Sequence, residues 1–169
     1  AGADHIETTV TTLTANAGAD GVFITETNSL TVDTLTINVN RVASTGVTSA
    51  TSNTAQEDLT TSANGHIVLV SSTGDLTISD EVTAAGSGNV LLKATAGAIT
   101  INNAIDGGSG HISLSTGTSL TQKANISTTG SGTVEALAGT SIAMDDGTTT
   151  SAAANIRYVA TTTMSIGAI

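Results

Sequence analysis

The sequence predicts an all-β chain, a parallel β-solenoid with about 22 residues and three short strands per turn and roughly eight turns. Three observations carry the prediction. Apolar residues alternate with polar ones at period two, which places them on one face of an extended strand. Clusters of Gly, Ala, Ser and Asp interrupt the alternation at regular intervals, where small residues let the backbone turn. The pattern then repeats: the anchors Ile67, Val90, Ile112, Val134 and Ile156 are spaced by 23, 22, 22 and 22 residues, and a fixed period in this range is the signature of a solenoid.

Composition agrees with a narrow core. Of the 169 residues 38% are apolar, yet there is one Phe, one Tyr, no Trp, no Pro and no Cys. Without large rings, the interior must be filled by stacked Ile, Leu, Val and Ala.

In the first strand of each turn the inward residues are Ile67 and Leu69, Val90 and Leu92, Ile112 and Leu114, then Val134 and Ile156. The openers before them read SANGHI, AGSGNV, GGSGHI, TGSGTV and AAANIR; AGADHI at 1–6 and AGADGV at 17–22 align with these, which makes Ile6 and Val22 anchors as well. The second strand carries Leu76 and Ile78, Ile99 and Ile101, Leu120 alone, Ile142 and Met144, then Met164 and Ile166. A third, weaker strand is anchored by Val82, Ile105, Ile126 and Ile169. Each anchor is expected to stack on its equivalent one turn away, about 4.8 Å along the axis.

From Val22 to Ile67 the opener spacing jumps by 45 residues. One degenerate turn around Val47 and Leu59 is expected there, with the polar run 43–58 bulging out as a loop. The chain reads as a single solenoid unit over 1–169. It opens on an opener and closes on an unfinished third strand, so joining Ile169 to the Ala1 of another copy would complete a turn. Neither end carries a polar cap of the kind solenoids need. Ala1, Ile6, Ile166 and Ile169 are therefore the expected self-association ends of a tandem or head-to-tail array.

The segments ANGHIVLVSSTGDLTISDEVTAAGSGNVLL (63–92), GSGHISLSTGTSLTQKANISTTGSGTV (108–134) and ANIRYVATTTMSIGAI (154–169) resemble the repeats of giant bacterial surface and secreted proteins of the filamentous-haemagglutinin-like type. That resemblance implies a right-handed parallel β-helix, an extracellular or cell-surface location, a role as fibre or adhesin shaft, and no catalytic residues.

Candidate sites are sparse. His66 and His111 share one opener position, in a column read as His5, Gly21, His66, Asn89, His111, Thr133 and Asn155. Two histidines separated by two turns, about 10 Å, do not share a metal, and a solvent-facing polar ladder is expected instead. DGGSGH at 106–111 resembles the calcium nonapeptide of repeats-in-toxin proteins, but His111 stands where an Asp belongs. The acidic corners Asp80-Glu81 and Asp145-Asp146 are the better oxygen donors, and Glu57-Asp58 is a third such pair; calcium is the one cofactor these could take. Arg41, Lys93, Lys123 and Arg157 are the only basic residues beside the histidines, too few and too scattered for a site that cleaves acidic polysaccharides. Thr77, Thr100 and Thr121 form a single outward column, whereas ice binding would need a paired one.

A formal charge of −10 opposes nucleic acid and anionic membrane surfaces as partners, and no apolar run reaches the length of a membrane helix. The expected function is a structural unit of an extracellular filament or adhesin shaft, assembling with copies of itself. The alternative is an adhesin module that recognises a surface glycan through the 43–58 loop.

Overall fold

Strands of two to five residues separated by small-residue corners can bury an inward face only by lying in register on the next turn, and the chain does this in seven coils. A computed structural model describes residues 4–52 and 54–169. Each coil contributes one strand to each of three parallel sheets, except the last, which has none in the third. The first sheet has seven strands: Ile6–Thr8, Val22–Glu26, Ile67–Ser71, Val90–Ala94, Ile112–Thr116, Val134–Ala138 and Ile156–Ala160. We number the coils 1 to 7 by these strands. The second sheet also has seven strands, from Thr12–Leu13 to Thr163–Ser165, and the third has six, from Ala15–Ala17 to Thr150–Ser151.

The inward residues form continuous columns. In the first sheet Ile67, Val90, Ile112 and Val134 stack in register beside Leu69, Leu92, Leu114 and Ala136. In the second, Leu76, Ile99, Leu120 and Ile142 stack, and in the third Leu59, Val82, Ile105 and Ile126. All of these are buried, together with Ile78 and Ile101. Burial of a Leu, Ile or Val contributes about 1.5–3 kcal/mol each, so the shared core, not any single coil, supplies the stability.

Two corners work only because they lack side chains. A Cβ on Gly110 would lie 2.0 Å from the carbonyl oxygen of Gly88, and one on Gly88 would lie 2.1 Å from that of Gly65. A similar column runs at the next corner, where a Cβ on Gly97 would lie 2.2 Å from the Gly74 oxygen. The coils stack closely at these corners because each glycine leaves room for the carbonyl of the coil beneath.

The structure corrects the sequence reading in six places. There are seven coils, not eight: Val22 pairs directly with Ile67, and Leu59 belongs to the third sheet of coil 2. The extra residues are no degenerate turn but an antiparallel arm, Asn38–Val42 paired with Thr48–Ser52, inserted between the second and third strands of coil 2. Val47 lies between those two strands and is exposed. Ile6 aligns with Ile24 rather than Val22, because coil 1 is a shorter turn. His5 consequently leaves the histidine column and lies beside Phe23, ring centroids 6.0 Å apart. The third-sheet column passes from Ile126 to Thr150 before the end of the chain, and Ile156, expected in the core, is only half-buried, because coil 7 has no coil above it.

Candidate functional site

The features that could serve a function lie at the corners, inside the two ends of the rod, and on its outer face. At the opener corner the expected polar ladder is present. His66 Nδ1 accepts the Asn89 N–H (3.0 Å), Asn89 Oδ1 accepts the His111 N–H (2.9 Å), and His111 Nδ1 accepts the Thr133 N–H (3.2 Å). Each side chain thus satisfies a backbone donor of the next coil, which fixes the register of a corner where no strand ladder runs. In both histidines the geometry assigns the proton to Nε2.

Two buried polar clusters interrupt the apolar columns, and sequence reasoning missed both. Glu26 ends the inward series Val22, Ile24, Glu26 and has no solvent-accessible surface. Its Oε2 accepts the Thr8 hydroxyl (2.6 Å) and the Val10 N–H (2.9 Å) from coil 1, and its Oε1 accepts the N–H groups of Thr27 (2.9 Å) and Asn28 (3.1 Å). Burial pushes the carboxyl up, but those four donors outweigh it and leave its pKa below the ordinary value. Thr8 and Val10 of coil 1 cover the group on the side toward the chain start.

Near the other end Gln122 occupies the column of Ile101 and Met144 and is fully buried. The Tyr158 hydroxyl donates to Gln122 Oε1 (2.8 Å), Gln122 Nε2 donates to Thr150 Oγ1 (3.0 Å), and the Thr150 and Tyr158 hydroxyls are 2.6 Å apart. This closed ring of bonds joins coils 5, 6 and 7. The signal for both clusters was alternation itself: a polar residue two positions after an inward apolar one, Glu26 after Ile24 and Gln122 after Leu120, must point inward.

The outer face of the first sheet carries a groove of about 370 Å³ lined by Phe23, Val68 and Leu91, with His66, Asn89 and His111 along one edge. Its floor is an outward column of apolar residues in three successive coils, in register. On the outer face of the second sheet Thr12, Thr31, Thr77, Thr100 and Thr121 form one unbroken column. Such a column adds cross-strand packing of β-branched side chains.

Of the acidic corners, Asp80 accepts the Thr34 hydroxyl (2.7 Å) and Glu81 accepts the Thr83 hydroxyl (2.6 Å). Asp145 and Asp146 lie exposed at a turn, and the Asp145 carbonyl, not its side chain, accepts the Thr148 hydroxyl. Among the described residues no three His, Cys, Asp or Glu side chains are placed to hold a metal ion together. Lys93 stands on the first sheet and Lys123 beyond the end of a second-sheet strand. Arg157 pairs with Glu135 at 2.7 Å on the surface.

The residues expected at the self-association ends lie in the end coils, with Met164 nearby. Ile6 is 65% exposed, Ile169 64% and Met164 41%, while Ile166 is half-buried; Ala1 lies outside the described residues. No family model matches the chain, and no curated protein and no solved structure is significantly similar to it.

Proposed function

We propose that this chain is a load-bearing structural module, a segment of an extracellular filament or surface-adhesin shaft, that extends by stacking further parallel coils on its ends. One observation carries the reading: a single apolar core runs from Val22 to Ile142 and, among the described residues, the end coils expose Ile6, Met164 and Ile169 beside strand edges that pair on one side only. A coil of the same kind, from a second copy or from flanking chain, completes either face. Seven coils at about 4.8 Å make a rod about 30 Å long, and each added unit lengthens it without any new contact chemistry. In this role the ionisable side chains serve register and solubility, with neither catalysis nor a cofactor required.

The test uses residues already exposed, so that folding is unaffected. Met164→Asp with Ile169→Asp puts carboxylates on one end face, and burying them against another coil would cost several kcal/mol. Purified wild type is expected to form rod-like oligomers in the electron microscope and by light scattering; the double variant is expected to remain single units with an unchanged unfolding midpoint. Oligomers of equal length in both would overturn the proposal.

A further inference from the structure

The arm differs from the rod in every respect that matters for association. Asn38–Val42 and Thr48–Ser52 pair with each other, and among the described residues no third strand pairs with Asn38–Val42 or Thr48–Thr51. Every residue of the first strand and all but Thr51 of the second are exposed. A two-stranded ribbon with neither face packed is marginal in water. Its pattern selects no face for burial: Val39 and Val42, 52% and 65% exposed, fall on opposite sides. The deficit is therefore a neighbouring strand.

Charge narrows the choice of neighbour. The chain carries −10, but between Thr34 and Gln56 Arg41 is the sole charged residue. Two copies repel through their rods, and their arms offer a place to meet without opposed carboxylates. Eight residues from Leu35 to Val42 extend about 25 Å, several times the screening length of about 8 Å at physiological salt, so arms can touch while the rods stay beyond each other's fields. Edge strands are commonly protected by charge, Pro or a bulge; Thr48–Thr51 has no charge and no Pro. The opposite edge bears Arg41, and a two-fold pairing there would bring two arginines into one small sheet.

We infer that the arm is a dimerisation element: Thr48–Thr51 of one copy pairs antiparallel with the same strand of a second copy, forming a four-stranded sheet that links two rods laterally. The inference does not rest on end-to-end stacking.

The absence of cysteine makes the test direct. A two-fold axis between antiparallel strands places one residue opposite its own copy, at a Cα separation of about 4.5–5.5 Å that a disulfide can span. Thr48→Cys, Ser49→Cys, Ala50→Cys and Thr51→Cys are each oxidised mildly, with Thr73→Cys on the rod as control. At least one arm variant is expected to form covalent dimer about tenfold or more faster than the control, because pairing concentrates the thiols. A second variant replaces residues 36–55 by Asn-Gly, joining Leu35 to Gln56, which already bridge antiparallel. It is expected to lose the lateral dimer in sedimentation velocity while keeping the unfolding midpoint. Head-to-tail oligomers would survive this deletion, which separates the two modes of association. Cross-linking no faster than the control at all four positions, or a lateral dimer that persists without the arm, would overturn the inference.

Discussion

Replacing Glu26 by Gln isolates what a buried carboxylate does for the first coil. The amide keeps the shape but must turn its NH₂ toward one of two donor pairs. Facing Thr8 and Val10 is the cheaper choice, because the Thr8 hydroxyl can rotate to accept, and only the Val10 N–H is left without a partner. One unsatisfied buried donor costs about 1–3 kcal/mol, and the remaining bonds lose their charge assistance. A total of about 2–3 kcal/mol falls almost entirely on coil 1, since Thr8 and Val10 belong to it. That corresponds to roughly 30- to 150-fold more frequent local opening.

Hydrogen exchange at neutral pH reads this directly at the amides of residues 6–10 and 24–28. The pH dependence follows from the lowered pKa of Glu26. A carboxylate whose folded value is depressed contributes stability that is complete above the unfolded value, about 4.3, and lost as pH falls through the folded one. The two proteins should therefore differ by a constant amount from pH 7 to 5 and converge in stronger acid. Wild-type protection of coil 1 in the Gln variant, or a difference that does not shrink in acid, would refute the role of the Glu26 carboxylate in holding coil 1.

Three further predictions follow from the same geometry. Tyr158→Phe removes one donor from the Gln122–Thr150 ring and should cost about 1 kcal/mol in urea unfolding at pH 7. Burial raises the Tyr158 pKa against the opposing effect of its Thr150 bond, so the neutral phenol's contribution should be present below pH of about 10, be lost as pH rises through the raised value, and be absent from the variant. Gly110→Ala drives a Cβ to 2.0 Å from the Gly88 oxygen and should lower stability by about 2–3 kcal/mol, whereas Gly18→Ala, with open space around it, should stay within about 0.5 kcal/mol in the same thermal scan. Ile99→Asp places an unpaired charge in the centre of the core; it should unfold the surrounding coils and appear as new protease cleavage between residues 76 and 126.

The fold was legible wherever burial alone set the pattern. Ile67, Val90, Ile112 and Val134 announce their stacking because a one-residue slip would turn every one of them to solvent. Legibility failed where another interaction replaced hydrophobicity. Glu26, Gln122 and Thr150 are polar residues in inward columns, and only their partners, distant in sequence, make that placement tolerable. The alignment of Ile6 with Ile24 depends on the shorter turn of coil 1, which opener motifs do not encode. The arm reads in sequence as a bulge and a weak turn because its strands pair locally and antiparallel, leaving no periodic mark. The histidine column reads as polar and solvent-facing, but its purpose, accepting N–H groups from the next coil, depends on contacts between coils that the spacing does not encode.

The most direct test of the shaft reading is diffraction from oriented assemblies of the purified chain. Continuous stacking predicts a meridional reflection at about 4.8 Å and an axial repeat of about 34 Å, from seven coils per unit. Discrete particles no longer than one unit, with no axial 4.8 Å reflection at any concentration, would contradict it.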